Sequence, residues 1–133
     1  SAAFVQEARR QRKILGGSMR QAGILAAAGI VALESMIERL VDDHRNARQL
    51  GEGLARLPGV ILDPATVQTN IVIFALAPDT LSASELVARL AAHGVKMGDI
   101  GGRRLRAVTH YGIEADDIDR VLVAATQVLA AGG

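Results

Sequence analysis

The stretch TNIVIFALAPDTLSASELVARLAAHGVKM, residues 69–97, decides the fold because a strand, a turn and a helix follow one another in it. Thr69–Leu76 is rich in β-branched and aromatic residues, which predicts a strand. Its nearly continuous apolar run favours burial on both faces. Pro78 and Asp79 then predict a turn.

A helix is predicted directly after this turn. Ser82 or Ser84 can accept the hydrogen bond of an N-terminal cap, and the apolar spacing continues to about His93. Gly94 is well placed as the left-handed residue that ends the helix.

The flanking segments extend this pattern in both directions. Short strands are predicted at Val60–Leu62, Val95–Met97 and Arg104–Thr109, with a loop over Gly98–Gly102. A final amphipathic helix is predicted over Ile113–Ala131, with apolar positions at Ile118, Val121, Leu122, Ala125 and Val128. The order strand, helix, strand, strand, helix predicts a two-layer α/β fold, in which a small sheet packs against helices.

The first half of the chain predicts only helices. Phe4–Leu15 has the spacing of a short, basic amphipathic helix that stops at Gly16-Gly17. Ser18 is a candidate cap for a helical pattern over Met19–Leu57, which is long enough to be two helices or one bent helix. The pattern is apolar all round before Leu33 and amphipathic after it. We therefore expect residues 1–32 to be a helical segment separate from a domain over residues 33–133.

Composition limits the functions that this chain can have. It has 133 residues, a formal net charge of +1 and no cysteine. Such a balance offers no field that would attract nucleic acid or an anionic membrane, and thiolate metal sites are excluded. The longest apolar stretch, Ala22–Leu33, is shorter than the roughly 20 residues of a membrane-spanning helix.

Three features stand out chemically. Gly16-Gly17 with Arg20 can bind an anion, although a glycine pair before a helix is more often a hinge. Arg106, on a predicted strand, either binds a carboxylate through both guanidinium nitrogens or is an exposed edge-strand residue. The polar pair Thr69-Asn70 precedes an apolar strand.

The three histidines do not have the spacing of a metal site. His44 is expected to be half-buried in the core, and His93 is expected to interact with a helix end.

Four ordered motifs resemble the C-terminal third of the threonine aldolases. Arg12–Leu33 (RKILGGSMRQAGILAAAGIVAL) is similar to the family's RK-x-x-GGGMRQ-x-G-x-LAAAG segment. DDHRNAR (42–48), QTNIV (68–72) and LRAVTH (105–110) follow at the expected places. Ser18 stands where the family has a third glycine. The resemblance covers nearly the whole chain.

The resemblance implies a pyridoxal phosphate-dependent enzyme of fold type I, which cleaves β-hydroxy-α-amino acids into glycine and an aldehyde. Arg20 would contact the cofactor phosphate, and Gly16 and Gly17 would let the chain pass close to it. Arg106 would bind the α-carboxylate of the amino acid substrate. Residues 1–32 would be the end of the large cofactor domain and the connecting helix, and residues 33–133 would form the C-terminal small domain. The resemblance further implies a homotetramer, and we expect it to be cytoplasmic.

The lysine that carries the cofactor lies upstream of the GGGMRQ motif in this family, and neither Lys13 nor Lys96 matches it. We therefore expect no catalytic residue within this chain and no activity from the chain alone. Two alternatives stay open. One is another fold-type-I lyase that uses pyridoxal phosphate, and the other is a non-catalytic regulatory or dimerisation module.

Overall fold

The computed structural model describes residues 1–132, and the chain divides into two units, Ser1–Glu38 and Arg39–Gly133. The boundary lies a few residues after the one predicted from the sequence. The assignment of residues 1–32 to the end of a large cofactor domain stays a prediction.

The first unit contains two helices, α1 (Ala2–Ile14) and α2 (Gly23–Ser35), and every residue of both is exposed. α1 ends in a Schellman motif: Gly16 has a φ of 74° and donates its N–H to Lys13 O, and Gly17 donates to Arg12 O. The stop predicted at Gly16-Gly17 is therefore confirmed.

The start predicted for the next helix was wrong. α2 begins at Gly23 behind Ala22, without a side-chain cap, so Ser18 does not cap it. Arg20 lies in the turn before α2 rather than on the helix. Because three residues in a row after Met19 adopt turn geometry and Gln21 has a φ of 53°, helical hydrogen bonding cannot start at Met19. The long helical pattern predicted over Met19–Leu57 therefore forms two helices, which was one of the two possibilities considered.

The second unit holds three helices, α3 (Leu40–Leu54), α4 (Ala83–Ala92) and α5 (Ala115–Ala130). Its four strands are β1 (Val60–Ile61), β2 (Ile71–Leu76), β3 (Gly98–Asp99) and β4 (Arg104–Val108). A short 3₁₀ helix, Pro64–Thr66, follows β1. The predicted mixed α/β class, a small sheet packed with helices, is confirmed.

The sheet is antiparallel throughout, in the order β1-β2-β4-β3. Val72 pairs with Ala107 and Phe74 with Leu105, and these four side chains are buried. The core is completed by α3, α4 and α5 through residues such as Leu54, Leu86, Leu90, Ile118 and Val128. One face of the sheet therefore carries the helices.

The other face of the sheet is exposed, which corrects the expectation that β2 is buried on both faces. Ile71 and Ile73 are 42% and 46% exposed, whereas Val72 and Phe74 are buried. An antiparallel sheet covered by helices on one side buries only every second residue, even in an apolar strand.

The third predicted strand was also placed wrongly. Val95–Met97 is not a strand, and pairing with β4 occurs at Gly98–Asp99 instead, inside the predicted loop. Gly94 has a φ of 77° and Val95 donates its N–H to Leu90 O, so the chain is still leaving α4 at Val95. Pairing therefore starts later than the apolar pattern indicated.

Candidate functional site

Arg106 lies on the exposed face of the sheet with an unpaired guanidinium group. It pairs with Ile73 of β2 on one side and with Gly98 of β3 on the other. Within residues 1–132 its side chain makes no hydrogen bond and no ion pair. Gly98, its partner on β3, has no side chain.

The surroundings of Arg106 are apolar and carry no acid. By strand alternation, the positions on its face are two arginines among aliphatic residues: Ile61, Ile71, Ile73, Ala75, Arg104, Arg106 and Val108. An arginine among apolar side chains and without a protein carboxylate is a suitable partner for an external anion.

One of the two roles considered for Arg106 was that of an exposed edge-strand residue, and it is only half right. It is exposed, but β4 is an inner strand flanked by β2 and β3, so it is not an edge-strand residue. Its exposure results from the uncovered face of the sheet. Carboxylate binding, the other role, stays a prediction.

Asn70, one of the polar residues noted in the sequence, meets Thr109 at the end of β4. Asn70 donates from Nδ2 to Thr109 O at 2.7 Å, and Thr109 donates its backbone N–H to Asn70 O at 2.9 Å. The buried Thr109 hydroxyl donates to Asp43 O of α3 at 2.7 Å. These bonds hold the end of the strand that carries Arg106 against β2 and α3.

A second contact secures the segment just after β4. Both terminal nitrogens of the Arg39 guanidinium donate hydrogen bonds to the buried Asp43 carboxylate, at 3.0 and 2.5 Å. The same guanidinium lies 5.2 Å from the centre of the Tyr111 ring. The Asp43 hydrogen bond raises the pKa of Arg39 above its usual value. Arg39 therefore stays charged and links α3 to the loop after Thr109.

Arg39, Tyr111 and Arg103 were not predicted to take part in this region. The i, i+4 spacing of Arg39 and Asp43 was a usable signal for an ion pair. No sequence signal indicated the role of Arg103. Its backbone has a φ of 61°, and its guanidinium donates hydrogen bonds to the carbonyl oxygens of Leu76, Ala77, Thr80 and Leu81. It fixes the turn between β2 and α4 and is not free to bind a ligand.

The Gly16–Arg20 segment has fewer free backbone N–H groups for binding an anion than its sequence indicated. The backbone N–H groups of Gly16, Gly17 and Ser18 are all engaged within the turn. A Cβ at Gly17 would lie 2.8 Å from Arg12 Cγ and 3.0 Å from Arg12 O, so the glycine is required by the helix end itself. Arg20 is exposed and, in the part of the chain that the structure describes, has no ion-pair partner.

The histidines lie apart from these features. His44 is half-buried, as expected, and His93 is exposed at the C-terminal cap of α4. His110 is exposed, with Nδ1 at 2.8 Å from Tyr111 O. Residues 1–132 contain no group of three or more histidines and carboxylates able to hold a metal ion, and no helix among them is long and apolar enough to cross a membrane.

Comparison with known proteins decides the family. The model of the beta-eliminating lyases matches residues 1–77, more than half of the chain. The chain belongs to the beta-eliminating lyase family. The matched range includes the Gly16–Arg20 segment, Asp43 and Asn70, and it ends before β4.

Two relatives of this member of the family come from Arabidopsis thaliana. It is 35% identical over 123 residues to low-specificity L-threonine aldolase 1, and 40% identical over 120 residues to probable low-specificity L-threonine aldolase 2. These matches cover 92% and 90% of this chain but 34% of each relative. The chain thus spans about a third of the length of these relatives.

The fold of the chain also resembles that of a cysteine desulfurase from Escherichia coli. The TM-score is 0.68 at 19% sequence identity, over 87% of this chain and 32% of that structure. At this identity the likeness concerns the fold only.

Proposed function

We propose that this chain is the C-terminal third of a pyridoxal phosphate-dependent L-threonine aldolase. The identity of 35–40% to two threonine aldolases, over about nine-tenths of the chain, supports the reaction. The observation that carries the proposal is the unpaired guanidinium of Arg106 on an apolar face without an acid.

Arg106 binds the α-carboxylate of the substrate in this proposal. A guanidinium group matches a carboxylate with two parallel N–H···O bonds, so the bound amino acid is fixed in position and in orientation. By fixing this orientation, Arg106 would decide which bond at Cα is broken when the cofactor is bound. A β-hydroxy-α-amino acid such as L-threonine then yields glycine and an aldehyde.

The cofactor, when bound, supplies an electron sink for the carbanion left by Cα–Cβ cleavage. Within this chain, Arg20 would hold the cofactor phosphate, and its exposed side chain without a carboxylate partner in residues 1–132 is compatible with that role. Gly16 and Gly17 fit as a close-approach segment rather than as N–H donors, since their N–H groups are already bonded. Gly16 has no heavy atom within 4 Å of a Cβ position, which leaves room for a phosphate.

The chain by itself is inactive in this proposal. Lys13 and Lys96 are its two lysines, and neither matches the family's cofactor lysine. The complete enzyme is a cytoplasmic homotetramer, and its substrate is a small amino acid rather than a nucleic acid or a lipid.

The decisive test compares two reactions of the complete protein that contains this sequence. With pyridoxal phosphate and L-threonine, the threonine aldolase produces glycine and acetaldehyde in equal amounts. The 133-residue chain serves as the control and produces neither. Release of ammonia and a 2-oxo acid from L-serine or L-threonine, without glycine, would instead favour an eliminating lyase of the same family.

A non-catalytic regulatory or dimerisation module is the second candidate. It is favoured by the compact second unit, which has a core of its own. This candidate predicts that substitution of Arg20 and Arg106 changes no measurable property except local stability, whereas the aldolase loses cofactor affinity and substrate affinity respectively.

A further inference from the structure

A cleft of about 540 Å³ lies in the second unit, between the end of β4, the segment after α4 and the start of α5. This volume is within the range of about 300–1,000 Å³ that is usual for small-molecule sites. On the side of the helices, the cleft is lined by aliphatic side chains that include Leu50 of α3 and Ile118 and Val121 of α5. Arg106 is not among the lining residues, so the cleft is separate from the site proposed for the substrate.

An unpaired residue of β4, Val108, forms one edge of the cleft. Thr109 donates its backbone N–H to Asn70 O, and the N–H groups of a strand alternate in direction, so the N–H and C=O of Val108 point away from β2. Pairing with β3 ends at Arg106 and Gly98. In residues 1–132 neither group of Val108 has a hydrogen-bond partner. Val108 therefore offers a donor and an acceptor side by side, in the plane of the sheet.

The charged side chains that line the cleft favour an anion. Lys96 is exposed and forms no ion pair within the described residues. The acid of the cleft, Asp117, is already engaged: one oxygen accepts from the Glu114 N–H, and the other is 3.4 Å from an Arg120 nitrogen. Lys96 is thus left without a partner of opposite charge, and a lysine ammonium is well suited to a phosphate group.

We infer that this cleft binds an adenine nucleotide. Adenine carries a ring nitrogen that accepts a hydrogen bond beside an amino group that donates one, so it matches the N–H and C=O of Val108 at the same time. The ring then continues the plane of the sheet, and one of its flat faces lies against the aliphatic side chains on the side of the helices. The phosphate of the nucleotide accepts from Lys96.

The test is equilibrium dialysis of the 133-residue chain against radiolabelled AMP. We expect saturable binding of the nucleotide. In competition with it, adenosine lacks the phosphate and purine riboside 5′-monophosphate lacks the amino group. Each should bind about tenfold more weakly than AMP, the value of one lost hydrogen bond. Inorganic phosphate should not displace AMP at an equal concentration.

Lys96→Gln separates the phosphate contact from the ring contacts. This substitution should weaken AMP binding about tenfold and leave adenosine binding unchanged. The matched variant Lys13→Gln, in the exposed α1, should change neither affinity. Both lysines lie outside the buried core, so neither change is expected to unfold the protein.

Arg20→Gln distinguishes the cleft from the residue proposed to hold the cofactor phosphate. AMP binding to the chain should be the same with and without this substitution, because Arg20 does not line the cleft. Three results would overturn the inference: no saturable binding of AMP, equal binding of AMP and the two analogues, or loss of AMP binding in Arg20→Gln but not in Lys96→Gln.

Discussion

Arg106 is the residue on which the proposed reaction depends most directly. In the complete enzyme, Arg106→Lys should raise KM for L-threonine by roughly 10- to 100-fold, because an ammonium cannot form the two parallel bonds of a guanidinium and one charge-assisted bond is worth about 1.5–3 kcal/mol. Steady-state kinetics would measure this change. Arg104→Lys is a matched control on the same face of the same strand. Equal effects of the two substitutions would mean that Arg106 has no special contact with the substrate.

Thr109 provides a test of stability at the residue scale. Its hydroxyl is buried and donates to Asp43 O. Thr109→Val keeps the shape but removes this donor, so the free energy of unfolding should fall by about 1 kcal/mol. Urea denaturation would measure it. Thr126→Val is the control, because the Thr126 hydroxyl bonds within an exposed helical turn and its loss should cost less than about 0.5 kcal/mol.

At the scale of the element, α4 has the most complete cap in the second unit. Glu85 donates its backbone N–H to Ser82 Oγ, while its side chain accepts from the Ser82 N–H and hydroxyl. These bonds to Ser82 hold the pKa of the Glu85 carboxyl below its usual value. A depressed pKa means that the stabilisation is present above the ordinary carboxyl range and is lost as the pH falls through the lowered value.

Glu85→Ala should therefore lower the melting temperature at pH 7, and the difference from the unchanged protein should shrink as the solution is acidified. Thermal denaturation of both proteins between about pH 7 and about pH 3 would measure their melting temperatures and the difference between them. Glu52→Ala, at an exposed position of α3 outside any cap, is the control. A difference that stays constant with pH would show that the carboxylate of Glu85 does not stabilise the cap.

At the scale of the whole molecule, the two units differ in how much apolar surface they bury. Neither helix of the first unit has a buried residue, and α2 exposes Ile24 and Leu33 by 80% and 70%. The buried hydrophobic core belongs to the second unit. Such an exposed apolar helix is typical of a segment that another protein surface covers.

The 133-residue chain should therefore self-associate, whereas a variant limited to residues 39–133 should be monomeric and unfold cooperatively. Sedimentation velocity over a range of concentrations would compare them. Leu33→Glu in the full chain is a second variant and should reduce association without loss of helical circular dichroism. A monomeric full chain would contradict this prediction.

Much of the second unit could be predicted because its signals are local. Ser82 and Gly94 bound α4 as expected, and the apolar spacing placed Ile118, Ala125 and Val128 of α5 in the core. Capping bonds and helical periodicity join residues three or four positions apart, so a short window of sequence contains the whole interaction. The motifs around Gly16-Gly17, Asn70 and Arg106 likewise led to the right family.

The sequence by itself thus determined the α/β class, most of the helices, the end of α1 and the family. Only the tertiary structure decided which face of β2 is buried, where β3 pairs, why Arg106 is exposed on an inner strand and what Arg103 binds. These properties depend on partners that lie far apart in the sequence, such as Asp43 for Thr109 and Ala77 for Arg103. A local pattern cannot specify such contacts, because they form only when separate elements pack together.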